Sequence, residues 1–316
     1  MTEPAPRSFV IGAGGLLGSE VMTATNGCPV VVHWDATPAE DLDDFAQNFP
    51  IAGGRVAIYW CAGRAVSHAT KEELDVELAI FERFLRSAEH RLRRDRTLAI
   101  DLFLASSVGG VYGASPSPPY TEATPPAPAS PYGRGKLRGE RVASAWAKRT
   151  GSRVLLGRLS NIYGARQDLT KGQGLISTLI AAALTKEAAT IGVPLETKRD
   201  YILARDASVV AAAGMERIAT AAPGTVVTKI IASGRPTSVG DIILAVEREL
   251  GQRVPLNFSE SARGAVPTDF SVNSEVWEDL DSHASTSLTD GIRNLISDLR
   301  ESALSPRPDP ERKQIR

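Results

Sequence analysis

Phe9-Val10-Ile11-Gly12-Ala13-Gly14-Gly15-Leu16-Leu17-Gly18 is the stretch that decides the fold of this 316-residue chain. Three apolar residues run into a cluster of glycines, and Leu16 to Thr25 then continues with helical spacing. That order predicts a buried strand, a tight turn and a helix. Glycines allow the sharp turn and let a phosphate come close to the backbone. The first N–H groups of a helix have no partner inside it and point toward such an anion. In a strand-to-helix context, Gly12, Gly15 and Gly18 with the first helical residues Leu16 and Leu17 therefore predict a seat for a dinucleotide pyrophosphate.

Working outward, Val30 to Trp34 reads as a second strand ending at Asp35, 23 residues past Gly12. An acid there accepts hydrogen bonds from a ribose 2′-hydroxyl and repels a 2′-phosphate, which favours NAD and leaves NADP open. A solvated turn aspartate is the alternative reading. Glu40 to Phe49 has helical spacing, and Val56 to Cys61 is a third apolar run stopped by Ala62-Gly63. Glu72 to Arg94 carries Leu74, Leu78, Phe81 and Leu85 on one helical face. Leu98 to Leu104 and Arg153 to Leu159 read as buried strands, separated by a proline-rich loop from Ser115 to Pro131 and a helix from Tyr132 to Lys148. Continuous apolar strands alternating with helices predict an α/β fold: a doubly wound parallel sheet of Rossmann type, covered on both faces.

After Gly164 the alternation weakens. Leu175 to Leu184 and Ser238 to Leu250 read as helices, and Val226 to Ile231 as a strand returning to the main sheet. Val254 to Phe258 and Ser285 to Arg300 belong with a smaller lobe. The expected organisation is a dinucleotide-binding domain over 1–166, with about 204–235 returning to it, and a smaller C-terminal α/β lobe from 167–203 and 236–304. The charged, proline-containing 305–316 is expected to be a disordered tail.

Hydrophobic residues make up 42% and charged residues 23%, a globular mix. The 36 basic and 37 acidic residues leave a formal charge of −1, so the chain has no general attraction to nucleic acid or anionic lipid. An anionic ligand must be held by a few placed groups. Cys28 and Cys61 lie in apolar strand-like runs and read as core thiols of a reducing compartment. With four histidines and no Cys/His cluster at ligand spacing, no metal is expected. Met1 to Ser8 is polar, and no apolar run reaches the roughly 18 residues of a membrane span. The expected location is the cytoplasm, with no membrane partner.

Tyr132-Gly133-Arg134-Gly135-Lys136 puts Tyr132 and Lys136 four residues apart, on one helix face. A phenol titrates near about 10 and is a poor base at neutral pH, but a cation beside it stabilises the phenolate. The positive charge of a nicotinamide acts in the same direction. Such a pair could shuttle a proton in a carbinol–carbonyl interconversion. Taken alone it is usually a surface pair. Here Ser106-Ser107 ends a buried strand, with Ser107 standing 25 residues before Tyr132, and a hydroxyl there could bind the substrate oxygen beside the phenol.

These motifs carry a resemblance. Gly12-x-x-Gly15-x-x-Gly18, Ser106-Ser107 with Val111-Tyr112-Gly113, and Tyr132-x-x-x-Lys136 resemble the extended short-chain dehydrogenase/reductases. Arg158-Leu159-Ser160-Asn161-Ile162-Tyr163-Gly164 and Arg199-Asp200-Tyr201 are similar to the NAD-dependent nucleotide-sugar epimerase/dehydratase branch. The resemblance runs from about Phe9 to Ile296. It implies Tyr132 as acid/base, Lys136 as its partner and ribose anchor, and Ser107 (or Ser106) as the hydroxyl donor, with Ser106 close to the substrate. It also implies Asn161 and Arg199 as contacts to a nucleoside-diphosphate sugar, with Arg199 on the diphosphate. An ion pair of Arg199 with Asp200 or Asp206 is the structural alternative.

Three features depart from the family pattern. The stretch from Asp35 to Cys61 is short and shows no recognisable third strand, so the adenine pocket is expected around Trp34 or Ala62-Gly63. Counting back from Tyr112 puts Val108 where relatives keep the hydroxyl, whereas counting back from Tyr132 selects Ser107. The chain also lacks the Asp-Glu pair that the 4,6-dehydratases carry, which argues against water elimination. The resemblance thus implies an NAD-dependent nucleotide-sugar epimerase working by hydride withdrawal and return through a keto sugar. A keto-sugar reductase using NAD(P)H is the main alternative, ahead of a dehydratase or a non-catalytic dinucleotide binder. It further implies a homodimer through the helices at Glu72–Arg94 and Tyr132, with Phe81, Phe84, Leu85 and Trp146 supplying apolar area.

Overall fold

The computed structural model describes residues 7–30, 32, 40–47, 54–65, 69–168, 174–259 and 267–304. Trp34, Asp35 and the tail 305–316 lie outside these. In chain order the first part comprises β1 (Arg7–Ile11), α1 (Leu16–Thr25), β2 (Cys28–Val30), α2 (Glu40–Gln47), β3 (Gly54–Trp60), α3 (Lys71–Arg94), β4 (Leu98–Ser107), α4 (Val108–Val111), α5 (Pro131–Thr150) and β5 (Arg153–Leu159). Then follow β6 (Asn161–Tyr163), α6 (Leu175–Thr185), β7 (Ala189–Ile191), β8 (Lys198–Leu203), α7 (Ala204–Ile218) and β9 (Val226–Ile231). The chain continues through β10 (Pro236–Ser238), α8 (Val239–Leu250), β11 (Leu256–Phe258), β12 (Asp269–Phe270), a short 3-10 turn at Glu278–His283 and α9 (Leu288–Leu304).

The main sheet has the order β2-β1-β3-β4-β5-β9 and is parallel throughout. Alternate residues of each strand face opposite helical layers. Ile11, Ile58, Trp60, Leu102 and Leu104 pack under α2, α3 and α5, together with Leu42, Phe81, Phe84 and Trp146. Val10, Tyr59, Phe103 and Leu155 pack under α1 and α7, together with Leu17, Val21, Val210 and Met215. The doubly wound arrangement read from the sequence is therefore present, and Val226–Ile231 does return to it, paired with β5. Of the second strand, expected over Val30 to Trp34, the described part is Cys28–Val30, in register with Phe9–Ile11; Val31, His33 and Trp34 lie outside the described residues. Among the described residues β2 is the edge of the sheet, consistent with the shortened segment that follows it.

From β1 the chain goes to β2 on one side and then returns to β3 on the other. The loops leaving β1 and β3 part at that point, which is where parallel sheets leave a crevice for a ligand. Beyond Leu159 the chain quits the main sheet, and Asn161–Tyr163 pairs with Tyr201–Leu203 of β8. Strands β10, β8 and β12 form a second sheet, β11 pairs β7, and α6, α8 and α9 enclose an apolar cluster that includes Ile176, Leu179, Ile242 and Leu295.

The apolar residues expected at a dimer interface are core residues. Phe81, Phe84, Leu85 and Trp146 are all at most 3% exposed, and Trp60 packs on the rings of both Phe81 and Phe84. Helical periodicity marks an apolar face but does not say whether the covering surface is the chain's own sheet. The outer sides of α3 and α5 are instead laced by ion pairs, Arg138 to Asp75 at 3.1 Å and Arg149 to Glu89 at 3.2 Å. No described helix is long and apolar enough to cross a membrane, and the described residues hold no His/Cys/Asp/Glu cluster suited to a metal.

Candidate active site

Gly12 has φ +91, and a Cβ there would come within 2.6 Å of the Ala62 backbone nitrogen. Only glycine lets the β1 turn close against the loop after β3. A Cβ on Gly18 would collide with the Gly12 carbonyl, so the third glycine lets α1 sit directly behind the turn. Gly15 is the N-cap of α1, and no side chain caps it. The N–H groups that open this helix, among them those of Leu16 and Leu17, are left to an incoming acceptor. A Cβ on Gly14 would meet nothing within 4 Å, so the mouth of the turn is bare backbone. Ala62 and Gly63 continue the same wall. Glu77 of α3 holds the loop beyond them by accepting from the backbone nitrogens of Arg64 and Ala65. An open turn, an uncapped helix start and a positive φ fit a pyrophosphate. Asp35, expected on the ribose, lies outside the described residues.

Ser130 caps α5 by accepting from the Gly133 nitrogen at 3.1 Å, and Pro131 occupies its first turn. Tyr132 is thereby fixed in the first turn, half-buried. Its ring lies on Gly110, where a Cβ would stand 3.1 Å from the ring Cε1 atom. Lys136 donates from Nζ to the Ala105 carbonyl at 3.2 Å and sits 5.6 Å from the centre of the Tyr132 ring. The pair is held between the end of β4 and the helix rather than standing free on the surface. Cys61, at the end of β3, feels the Lys136 charge; burial nonetheless pushes its thiol up to about 12.

The two serines diverge. Ser107 is half-buried and caps α4, its Oγ accepting from the Gly110 nitrogen at 3.2 Å. Ser106 is turned inward, 4% exposed, and donates to Glu140 Oε1 at 2.6 Å. Glu140 is clamped by Arg158 through Nε at 3.0 Å and Nη2 at 2.7 Å, and Arg158 also donates to the Tyr112 hydroxyl at 2.5 Å. Ser106, expected beside the substrate, is thus committed to a core network. Val108 is apolar because it faces a cluster with Tyr112, Tyr120, Ile230 and Phe270. The sequence reading missed Glu140, although its position four residues after Lys136 puts it on the same side of α5.

In the second sheet, Asn161 and Arg199 meet on the wall of a cavity of about 180 Å³, with Ile191, Thr197, Tyr201 and Val239. Asn161 donates from Nδ2 to the Asp200 carbonyl at 2.8 Å. Arg199 gives Nη1 to the carbonyls of Lys198 and Pro267 and lies 4.2 Å above the Phe270 ring. Burial holds its pKa below the usual arginine value, against the opposing influence of Tyr201, Asp269 and Tyr120. Neither ion pair of the alternative reading, to Asp200 or to Asp206, forms. The Asp200 carboxylate accepts from Ser160, Ser233 and the Arg235 nitrogen, and Asp206 accepts from Thr286. Among the described residues no carboxylate lies within ion-pair distance of Arg199.

A parallel sheet with a glycine turn at its switch point, beside a Tyr/Lys pair, defines a dinucleotide-dependent enzyme of the extended short-chain dehydrogenase/reductase type. The profile of the NAD dependent epimerase/dehydratase family matches residues 8–228. The chain belongs to that family, and NAD is its cofactor. A UDP-glucose 4-epimerase of Azospirillum brasilense is 27% identical over 306 residues, covering 84% of each chain. An assigned UDP-glucose 4-epimerase of Methanocaldococcus jannaschii is 31% identical over 165 residues, but the match spans only 52% of either chain. Among solved structures, the Thermotoga maritima UDP-glucose 4-epimerase with UDP-glucose has a TM-score of 0.78 at 19% identity, covering 94% of this chain and 99% of that one. The UDP-glucuronic acid 4-epimerase of Bacillus cereus, in complex with UDP-glucuronic acid and NAD, has a TM-score of 0.75 at 20% identity, covering 93% and 99%. At these identities the two structures speak to the fold.

Proposed function

We propose that this chain is an NAD-dependent nucleotide-sugar epimerase working through a keto-sugar intermediate. The observation that carries the reading is a juxtaposition of two groups. Ser107 is the register partner of Leu159, and Asn161 follows two residues later on the cavity wall with Arg199. The hydroxyl-bearing end of β4 and the arginine cavity are therefore joined by one short segment. Gly12, Gly15, Leu16, Leu17 and Gly18, with Ala62 and Gly63, would hold NAD, and Lys136 would reach its ribose. When bound, the nicotinamide supplies the hydride acceptor and donor. Tyr132 moves the carbinol proton through its hydroxyl oxygen, and Lys136 keeps a positive charge beside it. Ser107 donates to the same sugar oxygen. Arg199 would offer its remaining guanidinium donors to the diphosphate, a geometry suited to phosphate oxygens, and Asn161 would contact the substrate from the same cavity wall.

The test is incubation with UDP-glucose, UDP-galactose and UDP-glucuronic acid, following the sugar by NMR and the nicotinamide by absorbance. An isomeric product with no net change in nicotinamide absorbance is expected. Stoichiometric consumption of NAD(P)H with a reduced sugar would replace this reading with the reductase.

A further inference from the structure

We propose that Tyr120 and Phe270 are positioning residues for the reaction, a row of rings that fixes where Arg199 stands relative to the helix carrying Tyr132. The inference rests on the reading of Arg199 as the diphosphate contact. The row begins on α5, where Glu140 clamps Arg158. The Arg158 guanidinium lies 5.1 Å from the centre of the Tyr112 ring. Tyr112 stacks on Tyr120 at 5.3 Å with 21° between their planes. Tyr120 meets Phe270 edge-on at 5.8 Å, and Arg199 lies 4.2 Å above the other ring of that pair, Phe270. Tyr112 and Tyr120 are at most 1% exposed, and Phe270 is 7% exposed.

Tyr120 is pinned at both ends. Its nitrogen donates to the Ser271 carbonyl and its carbonyl accepts from the Asn273 nitrogen, both at 2.9 Å, while its hydroxyl donates to the Ser115 carbonyl at 3.0 Å. Phe270 is likewise pinned, as the register partner of Arg199 in the β8–β12 pair. Packed rings with two side-chain torsions each have little slack, so the row acts as a spacer between the two sheets. The proline-rich loop, which carries Tyr120, is the element that closes it. Without the Phe270 ring, the guanidinium keeps its two carbonyl contacts but can swing out of line with the cavity.

The experiment measures the affinity of UDP by calorimetry, and kcat and KM with whichever sugar nucleotide is turned over, for Arg199→Ala, Phe270→Leu, Tyr120→Leu, the ring-keeping variants Phe270→Tyr and Tyr120→Phe, and the double variant Phe270→Leu/Arg199→Ala. Leucine retains apolar bulk but removes the π face. Phe270→Leu is expected to weaken UDP binding by roughly 3- to 30-fold, the size of a partly to fully desolvated cation–π contact. It should also lower kcat, and Tyr120→Leu should do the same more weakly. The ring-keeping variants should restore both values, and Phe270→Leu should add almost nothing once Arg199 is alanine. Losses that add fully in the double variant, or leucine variants that bind UDP and turn over as the native chain does, would overturn the proposal. If Arg199→Ala itself binds UDP unchanged, the underlying reading of Arg199 fails first, and the proposal with it. Thermal unfolding of each variant separates these outcomes from loss of fold, and Phe270→Met, which keeps apolar bulk without a π face, takes the place of Phe270→Leu with the same expected losses if the leucine variant does not fold.

Discussion

Ser106 donates its hydroxyl to the buried carboxylate of Glu140 at 2.6 Å, while its neighbour Ser107 keeps its oxygen at the capped start of α4. Two adjacent residues of a strand point to opposite faces, so one position or the other, and not both, can serve the crevice. The pair therefore separates stability from chemistry. Ser106→Ala removes a hydrogen bond to a buried charged group and should cost about 1.5–3 kcal/mol of stability, with little change in turnover per folded molecule. Ser107→Ala loses a cap worth about 1 kcal/mol and a donor to the sugar oxygen, so turnover should fall more than stability. Thermal melts beside steady-state rates check both. A silent Ser107→Ala with a catalytically damaged but stable Ser106→Ala would reverse the assignment.

The glycine turn yields a second prediction. Gly12→Ala faces both a φ of +91 and a contact of 2.6 Å with the Ala62 nitrogen. Gly18→Ala drives a methyl into the Gly12 carbonyl. Each should lower the melting temperature and weaken NAD binding together, with a stability cost of at least about 1–3 kcal/mol. Gly14→Ala meets nothing within 4 Å and should fold normally. If the pyrophosphate lies over the mouth of the turn, Gly14→Ala should weaken NAD binding alone. Calorimetric NAD affinities set against melts decide, and equal NAD affinity for Gly14→Ala and the native chain would move the pyrophosphate away from that residue.

Cys61 provides a pH prediction. It borders the cofactor wall, yet burial raises its thiol from the ordinary value of 9.0 to about 12, outweighing the Lys136 charge. Only the thiolate attacks an alkylating agent. Near pH 8 the shift lowers the thiolate fraction by about a thousandfold, one factor of ten for each unit. Iodoacetamide should therefore leave Cys61 largely unmodified in the folded chain and label it readily in denaturant, as peptide mass mapping would reveal. Rapid labelling of the folded chain at pH 8 would contradict the raised thiol pKa.

What was legible in the sequence was whatever depends on local order. Phe9 to Gly18 gives the strand, turn and helix because the residues that form them are contiguous, and Tyr132 with Lys136 share a face because a helix repeats. What depends on the covering surface was not legible. Phe81, Phe84, Leu85 and Trp146 have the same periodicity whether they meet a partner subunit or, as here, Trp60 and the sheet. Arg199 and Asp200 are neighbours in sequence, but adjacent strand residues diverge, and Asp200 is spent on Ser160, Ser233 and Arg235. The row from Arg158 through Tyr112 and Tyr120 to Phe270 joins residues more than a hundred positions apart, and no spacing rule reaches that far.

The chemistry itself is tested at Tyr132 and Lys136. Tyr132→Phe removes one oxygen and leaves the ring on Gly110, so folding and NAD affinity should survive. The carbinol proton would then lack its relay, and positioned acid–base groups are worth about 10²- to 10⁴-fold in rate, so turnover should fall by that factor. Lys136→Ala has a different signature. It loses the hydrogen bond to the Ala105 carbonyl, the charge beside the phenol and the proposed ribose contact, and so should weaken NAD binding as well as turnover. Single-turnover rates and NAD affinities for the two variants, on whichever sugar nucleotide proves active, distinguish the roles. Near-native turnover in Tyr132→Phe would show that the proton leaves by another route. NAD affinity unchanged in Lys136→Ala would confine that lysine to the phenol and the end of β4.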